Sequence, residues 1–533
     1  MAETFAGPAS GRPRPELVSL ARRPGEVTPE GTLPVFEPAT GRLLGEVRVH
    51  TAAQVREVIA ASRAAQGEWS RRTFRERAEV ILRFQQLLLA QADDLCEHIA
   101  RENGKTRAEA LFQEVLPVAD LAGHFAHRAS KILRDEKLPL HMFPHKKSYV
   151  RYAPRGVIGV ISPWNFPMSI PTGDVVMALM AGNGCVLKPS ELTPLIAERM
   201  RKLLEDAGLP HGLFGVVHGK GDVGAALIEG GVQMIVFTGS VPTGRKVAMA
   251  TAKELIPAVL ELGGKDPALV LHDADLDLAA RRVVWGAFAN SGQVCASVER
   301  VYVDEKVAQP FTDKVVALAK ALRQGEPNGF DVDVGAMTSP LQLDIVRRHL
   351  DDAAEKGAKI LTGGEIKVTA DGGRFVQPTV LGSCTQQMAI VRDETFGPML
   401  PILTFRTEDE AIRLANDSAY GLSAYVFTKD RKRAAKIADL LQAGTVIHND
   451  ALYTHAAPET PWGGVKSSGI GRVHSAHGLR DLCEVRHVNL ERFSVPPFWM
   501  YPYSEKAYRL GLRVYRTLLG RGLVGKLRGL LGR

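Results

Sequence analysis

The stretch Gly156–Lys188, GVIGVISPWNFPMSIPTGDVVMALMAGNGCVLK, decides how this chain of 533 residues folds. It opens with the short apolar run Gly156–Ile161, continues through a segment of helix length and ends on a second apolar run, Gly184–Leu187. Strand-length runs that alternate with helical segments are typical of βαβ units, which build a parallel sheet. Three further runs repeat the pattern: Leu213–Val217, Met234–Phe237 and Ala258–Leu262. We therefore predict an α/β fold with a doubly wound sheet.

A second alternating region extends from Asp266 to about Leu440 and predicts a second α/β domain. Its candidate strands include Ala268–Leu271, Val301–Val303 and Leu400–Thr404. Between residues 51 and 134, apolar residues recur at helical spacing, which predicts three helices. The polar and aromatic segment His145–Ala153 is interpreted as an edge ribbon, and the first thirty residues, rich in Pro, Gly and Arg, as an arm.

The composition is that of an ordinary globular protein, with 24% charged and 45% hydrophobic residues. It argues against a disordered, collagen-like or disulfide-scaffold protein. No apolar run is long enough to predict a spanning helix, and the N-terminus lacks the apolar core of a secretory signal. The cysteines are odd in number and widely spaced, which favours a reducing, cytoplasmic location and neither disulfides nor a structural metal site; they are Cys96, Cys185, Cys295, Cys384 and Cys483.

The formal net charge of +8 is concentrated at one end of the chain. The segment Met500–Arg533 holds eight Lys or Arg and one Glu, so the rest of the chain is nearly neutral. A nucleic-acid groove needs basic residues clustered on a folded domain. We therefore predict no nucleic-acid partner.

Cys295 is a candidate nucleophile because of its neighbours, Asn-Ser-Gly-Gln-Val before it and Ala-Ser after it. A lone cysteine in a large protein is often a small buried residue, and that interpretation stays open on sequence grounds. Glycine and small polar residues are unusual in a core helix, however, and suit a loop that approaches a ligand. A thiolate in such a loop can form a covalent intermediate.

Two further polar residues are candidates for the same chemistry. Glu261 ends an apolar run and precedes two glycines, and it is either a solvated carboxylate or a general base whose pKa is raised by apolar surroundings. Asn165 lies in Pro-Trp-Asn-Phe-Pro and is either a turn residue or a rigid donor to an oxyanion.

Two loops have the character of a dinucleotide site. Phe237–Gly244 follows a predicted strand and opens a helix, a position suited to phosphate capture at a helix N-terminus. Lys188 and Glu191 follow another strand. They are either an ordinary charged loop or a pair that holds ribose hydroxyls, where the Glu disfavours a 2′-phosphate.

Taken together and in order, these motifs resemble the NAD(P)-dependent aldehyde dehydrogenase superfamily over about residues 30 to 494. The resemblance rests on seven segments of the sequence: Pro163–Pro167, Lys188–Glu191, Phe237–Ser240, Glu261–Lys265, Gly292–Cys295, Glu394–Pro398 and Pro461–Arg472. It implies an aldehyde dehydrogenase-like subunit with a Rossmann-type cofactor domain, a catalytic domain and a small oligomerisation ribbon. The implied boundaries are 1–30 for an N-terminal arm, 31–138 and 156–263 for the NAD-binding domain, 139–155 and 476–494 for the ribbon, 264–475 for the catalytic domain and 495–533 for a basic extension.

The resemblance also implies roles for individual residues. Cys295 is the nucleophile, Glu261 the general base, and Asn165 with the Cys295 backbone N–H the oxyanion hole. Asn449 supports the active-site loop. The residues implied to bind the cofactor, NAD with NADP as the alternative, are Trp164, Lys188, Glu191, Gly239, Ser240, Gly244, Glu394 and Phe396. No metal is implied, and a homodimer or homotetramer is expected.

The implied reaction oxidises an aldehyde to its carboxylic acid through a thiohemiacetal and a thioester. Two alternatives are a CoA-acylating enzyme and a non-catalytic structural homologue; retention of Glu261 speaks against the first and retention of both Cys295 and Glu261 against the second. The chain departs from many members at Asp174 and at Val473 followed by His474, near a proton route that some relatives use.

The substrate preference follows from the side chains expected around Cys295. Phe166, Met168 and Trp462 are apolar, and the loop Ala451–Thr460 offers Tyr453, Thr454 and His455 but neither Arg nor Lys. We therefore predict aliphatic or aromatic aldehydes, with succinate semialdehyde as the alternative.

The basic extension shows an apolar stripe at steps of three and four residues, which predicts an amphipathic helix. The stripe comprises Tyr508, Leu512, Tyr515, Leu519, Leu523, Leu527 and Leu531, and it is flanked by Arg509, Arg513, Arg516, Lys526 and Arg528. One interpretation packs this helix on its own or a neighbouring subunit. The other places it on a membrane surface, where Lys and Arg beside an apolar stripe attract anionic lipid.

Overall fold

The computed structural model describes residues 24–327, 329–494 and 499–520, together with the single residues 522, 524 and 526. The N-terminal part is a two-stranded antiparallel ribbon followed by helices. Three helices begin at a threonine whose hydroxyl accepts from the N–H three residues on, while the Gln or Glu there accepts from the threonine N–H, a capping box. The elements are β1 Thr32–Phe36, β2 Leu43–Arg48, α1 Ala52–Trp69, α2 Phe74–Ala90, α3 Ala92–Asn103, α4 Arg107–Ala110, a π-helical turn Leu111–Val115 and α5 Leu116–Ile132.

A two-residue strand and a nine-residue strand then precede the first large sheet: β3 Glu136–Lys137 and β4 Lys146–Pro154. That sheet has the strand order β19-β9-β8-β5-β6-β7, parallel except for β19. The chain reverses direction across the sheet between β5 and β8, so the carboxyl ends of these neighbouring strands flank a topological switch point, where open α/β sheets bind ligands. Its elements are β5 Val157–Ile161, α6 Ser169–Met180, β6 Gly184–Lys188, α7 Leu195–Asp206, β7 Phe214–Val216, α8 Gly221–Glu229, β8 Met234–Thr238, α9 Val241–Lys253 and β9 Ala258–Glu261.

The second large sheet has seven strands in the order β12-β15-β16-β11-β10-β17-β18, with only β12 antiparallel to its neighbour. In chain order, its region contains β10 Asp266–Val270, α10 Leu276–Phe288, β11 Val298–Asp304, α11 Ala308–Ala321, α12 Pro340–Glu355, β12 Lys359–Thr362, β13 Ile366–Val368, β14 Arg374–Val376, β15 Thr379–Gly382, α13 Ala389–Arg392, β16 Met399–Phe405, α14 Glu408–Asn416, β17 Ser423–Phe427, α15 Arg431–Leu440 and β18 Thr445–His448. Strand β19 Gly469–Ile470 then pairs with β9 of the first sheet, and α16 Ser475–Asp481 follows it.

Burial explains why the central strands read as continuous apolar runs. Every residue of β5, β6, β10, β11 and β17 is buried, because helices cover both faces of a parallel sheet. Helix α6 is also buried along all twelve of its residues. The predicted α/β class with a doubly wound sheet and a second α/β region is confirmed.

Residues 130–154 and 483–533 form a separate compact unit. Here β4 pairs with β3 on one side and with β20 Cys483–Glu491 on the other, both antiparallel. The unit also contains α17 Glu505–Leu519, which begins at the N-cap Ser504. Within the described residues, no helix is both long and apolar enough to cross a bilayer.

Several local expectations need correction. The region 51–134 holds four long helices, the short helix α4 and the π-helical turn Leu111–Val115, rather than three helices. Periodicity alone joins helices that end at Gln91 and at Gly104, whose backbone is left-handed. The segment His145–Ala153 is a strand, but it lies in the centre of its sheet and not at an edge. Most of the predicted arm, residues 1–23, and the stripe positions Leu523, Leu527 and Leu531 lie outside the described residues.

Candidate active site

A cavity of about 680 Å³ opens at the carboxyl ends of β5, β6 and β8. The cavity lies at the switch point between β5 and β8, so loops that are far apart in sequence form its walls. Nine of the predicted site residues line it: Trp164, Asn165, Lys188, Glu191, Gly239, Ser240, Cys295, Glu394 and Phe396. The predicted cofactor loops and the predicted nucleophile therefore share one cleft.

Cys295 lies in an irregular segment between α10 and β11. The preceding turn holds Asn290 and Ser291 at φ of 51° and 55°, followed by Gly292 at φ 71°. Gly264 packs against this segment so closely that a Cβ there would lie 2.2 Å from the Cys295 carbonyl oxygen. The cysteine is partly exposed and lines three separate cavities, which does not fit the interpretation of a core residue.

The electrostatic surroundings of Cys295 disfavour its thiolate. Burial raises the pKa of the thiol, and the negative charges of Asp266, Glu394 and Glu261 raise it further. Ionisation of this thiol therefore requires a neighbouring base or a positive charge brought into the cleft.

Asn165 is held rigidly at the end of β5. Its side-chain Nδ2 donates to the carbonyl oxygen of Gln293 at 3.0 Å, and its own carbonyl oxygen accepts from Asn290 Nδ2 at 2.9 Å. These bonds tie the Asn165 loop to the loop that precedes Cys295. An amide NH₂ has two donors, so Asn165 can bind Gln293 and still donate into the cleft.

Glu261 ends β9 and lies in a second, very small cavity. This cavity of about 20 Å³ is lined also by Cys295, Asp174, His455 and His474. Neither carboxylate oxygen of Glu261 has a hydrogen-bond partner within the described residues. A space of this size holds about one water molecule, so the geometry suits a carboxylate that activates a water beside the thiol.

Burial raises the pKa of Glu261 well above its ordinary value. Arg472 opposes this shift, whereas Asp174 adds to it. A carboxyl with a raised pKa is a better proton acceptor once it is ionised, which is the property a general base needs.

The two positions that depart from the family pattern both line this small cavity. The rings of His474 and His455 lie 4.8 Å apart between centroids, and His474 has a φ of 59°. Burial, together with the neighbouring His455, lowers the pKa of His474 far below its ordinary value, so both rings are neutral at pH 7. Burial raises the pKa of Asp174 to about 8.

The opposite wall of the cleft carries Glu394. Its Oε1 accepts from the Gly264 N–H at 3.0 Å, and a Cβ at Gly263 would lie 2.3 Å from its Oε2. Gly263 is therefore required for Glu394 to approach, while Gly264 supplies the N–H that Glu394 accepts. Phe396, at φ 51°, packs edge to face against Trp164 with 5.3 Å between the ring centroids.

The adenosine end of the cleft carries mixed charge. Lys188 Nζ donates to the carbonyl oxygens of Pro189 and Gly219 and lies 3.8 Å from Glu191 Oε2. Helix α9 follows its N-cap Ser240, which makes no side-chain capping bond, so the first N–H groups of the helix are available to an anion.

Gly244 does not line the cleft. A Cβ there would lie 2.4 Å from the Leu262 side chain, so this glycine serves close packing of α9.

A third cavity, of about 650 Å³, reaches Cys295 from the other side and is largely apolar. Phe166 and Trp462 line it as predicted, whereas Met168 is buried elsewhere. One face of α10 forms much of the wall, through residues spaced three and four apart; these are Arg281, Val284, Trp285 and Phe288. The spacing was visible in the sequence, but nothing local connected α10 to Cys295.

Sequence reasoning also missed one supporting group, Glu299. Glu299 accepts from the backbone N–H groups of Thr395 and Phe396, each at 2.8 Å, and it pairs with the buried Lys265. Asn449 was expected to support a loop, and its side chain bonds Thr428 N–H and carbonyl oxygen, which ties the chain after β18 to the end of β17.

A doubly wound sheet with a cleft at its switch point is typical of a dinucleotide-binding α/β enzyme. The chain belongs to the aldehyde dehydrogenase family, whose sequence pattern matches residues 27–488. Members of this family oxidise aldehydes with NAD or NADP and are commonly oligomeric.

Individual relatives agree with this assignment. The chain is 40% identical over 482 residues to a 4,4′-diapolycopene aldehyde oxidase of Methylomonas, covering 90% of this chain and 89% of that protein. It is 39% identical over 461 residues to a Mycolicibacterium smegmatis protein provisionally named succinate-semialdehyde dehydrogenase [NADP(+)], with coverage of 86% and 89%. The crystal structure of an aldehyde dehydrogenase from Brucella melitensis superposes with a TM-score of 0.84 at 35% identity, covering 88% of this chain and 96% of that one.

Proposed function

We propose that this protein oxidises an apolar aldehyde to its carboxylic acid, with Cys295 as nucleophile and NAD as hydride acceptor. The observation that carries the proposal is the position of Cys295 on the walls of three cavities. One is a cleft suited to a dinucleotide, one is an apolar pocket suited to the aldehyde, and one is a water-sized space that holds Glu261. Such an arrangement brings hydride acceptor, substrate and hydrolytic water to one sulfur atom.

The proposed chemistry uses each group once. The Cys295 thiolate attacks the aldehyde carbon, and the resulting oxyanion accepts hydrogen bonds from Asn165 Nδ2 and the Cys295 backbone N–H. A nicotinamide held beside Glu394 and Phe396 would supply the hydride acceptor, and loss of the hydride from this carbon leaves a thioester on Cys295. Glu261 then takes one proton from water as the water oxygen attacks the thioester; the carbon–sulfur bond breaks, the carboxylic acid keeps the other proton, and Cys295 leaves as the thiolate that begins the cycle.

The cofactor preference is proposed from Glu191. The 3.8 Å separation from Lys188 Nζ and the position of both residues on the cleft support a role at the adenosine ribose. A carboxylate there hydrogen-bonds ribose hydroxyls and repels a 2′-phosphate. We assign Trp164, Gly239, Ser240, Glu394 and Phe396 to the remainder of the cofactor site and Gly244 to its support.

The apolar pocket supports aliphatic or aromatic aldehydes as substrates. Phe112 and Trp285 expose 66% and 42% of their surface, which gives the pocket an aromatic wall. The relative named 4,4′-diapolycopene aldehyde oxidase bears the name of an apolar aldehyde, in line with this preference. Measuring kcat/KM over aldehydes of increasing apolar length tests the proposal, and a preference for short polar aldehydes would contradict it.

One observation favours the second candidate, succinate semialdehyde. Arg281 lines the same pocket from α10, so the site has a cation that the loop 451–460 lacks. A guanidinium can bind a distal carboxylate through two parallel hydrogen bonds. If Arg281→Leu lowers kcat/KM for succinate semialdehyde but not for an apolar aldehyde of equal length, Arg281 recognises the carboxylate.

The domain boundaries inferred from the resemblance remain proposals, as does a homodimer or homotetramer assembled through the ribbon of 139–155 and 476–494. Strand β20 supports this role because it carries the exposed apolar side chains Val485 and Leu490. Sedimentation of the purified protein measures the oligomeric state directly.

We further propose a cytoplasmic protein whose C-terminal extension contacts anionic membranes. No residue of α17 is buried, and the exposed Tyr508, Tyr515 and Leu519 accompany Arg509 and Arg513. Flotation with anionic liposomes at low salt should carry the full-length protein upward but leave a chain that ends at Phe493 in the soluble fraction. If neither floats, the extension packs against protein.

A further inference from the structure

Two fully buried charged side chains, Lys105 and Glu114, contact the loop that carries Asn165. Lys105 follows the C-cap Gly104 of α3, and Glu114 belongs to the π-helical turn Leu111–Val115. Both side chains are 0% exposed, and Lys105 Nζ lies 2.7 Å from Glu114 Oε1. The proposed mechanism uses neither residue.

The pair contacts the Asn165 loop on both sides of Phe166. Lys105 Nζ donates to the Asn165 carbonyl oxygen at 2.9 Å and lies 4.0 Å from the centroid of the Phe166 ring. Glu114 Oε2 accepts from the backbone N–H groups of Met168 and Ser169, at 2.8 and 3.0 Å. The three N–H directions of the ammonium thus meet a carboxylate, a carbonyl and an aromatic face.

The same loop is fixed further by neutral groups. Asn103, two residues before Lys105, donates to the Trp164 carbonyl oxygen at 2.8 Å, and Asn290 donates to the Asn165 carbonyl oxygen at 2.9 Å. The backbone of the Asn165 loop therefore makes hydrogen bonds with two charged side chains, Lys105 and Glu114, and with two side-chain amides, those of Asn103 and Asn290.

Stability alone is a weak reason for this pair. Apolar residues of similar volume often serve the fold as well as a buried ion pair, because both charges must leave water. Lys105 and Glu114 do something that apolar residues could not. Their hydrogen bonds to two N–H groups and one carbonyl oxygen fix the conformation of the loop. Single π-helical turns inside helices are also frequent at functional sites.

We propose that Lys105 and Glu114 are positioning residues that hold Asn165 in the orientation required to stabilise the oxyanion, and hold Phe166 against the aldehyde. This inference rests on the proposed role of Asn165. Through Asn165, the turn Leu111–Val115 would then influence the step in which hydride leaves the substrate. The inference does not involve Glu261 or the hydrolysis of the thioester.

The test replaces the whole pair, because removing one partner would leave an unpaired buried charge. Lys105→Met/Glu114→Leu should slow the single-turnover burst of NADH by about 10–100-fold, the range expected when a donor shifts by about 1 Å. The Kd of NAD and the KM of the aldehyde should change by less than about threefold. The control Lys314→Met/Asp277→Asn removes an exposed pair from α11 and α10 and should leave the burst unchanged.

A double-mutant cycle separates positioning from general damage. Asn165→Ala should slow the burst by about 10²–10³-fold, as for loss of an oxyanion donor. Adding the pair substitution to Asn165→Ala should then slow it by less than about threefold. The inference would be overturned if the fold-reductions in burst rate from Asn165→Ala and from the pair substitution multiplied in the combined variant. It would also be overturned if the pair variant had the wild-type burst rate. In both cases Asn165 would keep its proposed role.

If Asn165→Ala itself keeps the wild-type burst rate, the proposed oxyanion role is wrong, and the inference that depends on it falls too. Should the double substitution prevent folding, Glu114→Gln keeps the shape and one acceptor oxygen of the side chain. Glu114→Gln should slow the burst by about threefold to tenfold. Lys105→Arg, which keeps the positive charge, should retain a faster burst than Lys105→Met. An unchanged burst in folded Glu114→Gln would overturn the inference.

Discussion

Replacing Asp174 with asparagine should stabilise this protein at alkaline pH and leave its stability nearly unchanged at acid pH. The side chain lies on α6, is 4% exposed and lines the small cavity beside Glu261. Burial raises the pKa of this carboxyl from 3.8 to about 8. The folded protein therefore favours the neutral acid at a pH where the unfolded chain favours the carboxylate.

The pH dependence follows from this difference. The stability contributed by the neutral carboxyl is fully present below the pKa of the unfolded chain and is lost as the pH rises through the pKa of the folded protein. At about 1.4 kcal/mol per pKa unit, the interval from 3.8 to about 8 corresponds to at most about 6 kcal/mol. Water entry and local movement relieve part of this cost, so we expect a gain of about 2–3 kcal/mol for Asp174→Asn at alkaline pH.

The assay is thermal unfolding of both proteins between about pH 5 and pH 9. The difference in Tm between variant and wild type should grow with pH up to about pH 8, the pKa of Asp174 in the folded protein, and then level off. Asp351→Asn, which changes an exposed carboxylate on α12, is the control and should show no such trend. A variant that is destabilised at alkaline pH, or shifted equally at every pH, would refute the assignment of a neutral buried acid.

Three further outcomes are expected. Cys295→Ser should abolish aldehyde oxidation and keep NAD binding, because a serine hydroxyl is not ionised near neutral pH; turnover within about tenfold of wild type would be inconsistent with a thiolate nucleophile. Glu191→Gln should raise kcat/KM for NADP about tenfold and change that for NAD less, and the assignment fails if the NAD/NADP ratio stays constant. Phe112→Ala should raise the KM of long apolar aldehydes several-fold, by loss of about 1–2 kcal/mol of apolar contact, with short aldehydes as the internal control.

The sheet was predictable because its strands are buried on both faces. The runs at Gly156–Ile161 and Met234–Phe237 are uniformly apolar, and each corresponds to an observed strand within a residue or two. The helical region was less predictable, since the capping boxes at Thr51, Thr73 and Thr106 mark its helix starts more sharply than apolar spacing does.

The predicted site residues came from loops with unusual neighbours. The glycines before Cys295 and after Glu261 signalled a close backbone approach, which the contacts of Gly264 with the Cys295 segment bear out. Other groups gave no such signal. Nothing in the local sequence connected Arg281 and Trp285 of α10 to the pocket at Cys295, or Lys105 and Glu114 to the loop that carries Asn165.

In the proposed mechanism, Cys295 serves hydride transfer and Glu261 serves the hydrolysis that follows. Stopped-flow NADH formation by Glu261→Gln separates the two steps, with wild type and Glu254→Gln, which changes an exposed carboxylate at the end of α9, as controls. We expect Glu261→Gln to give a burst of about one NADH per site, followed by steady turnover reduced by about 10²–10⁴-fold. A variant that shows no burst but has an unaltered Kd for NAD would contradict this mechanism, because Glu261 would then act before the hydride leaves.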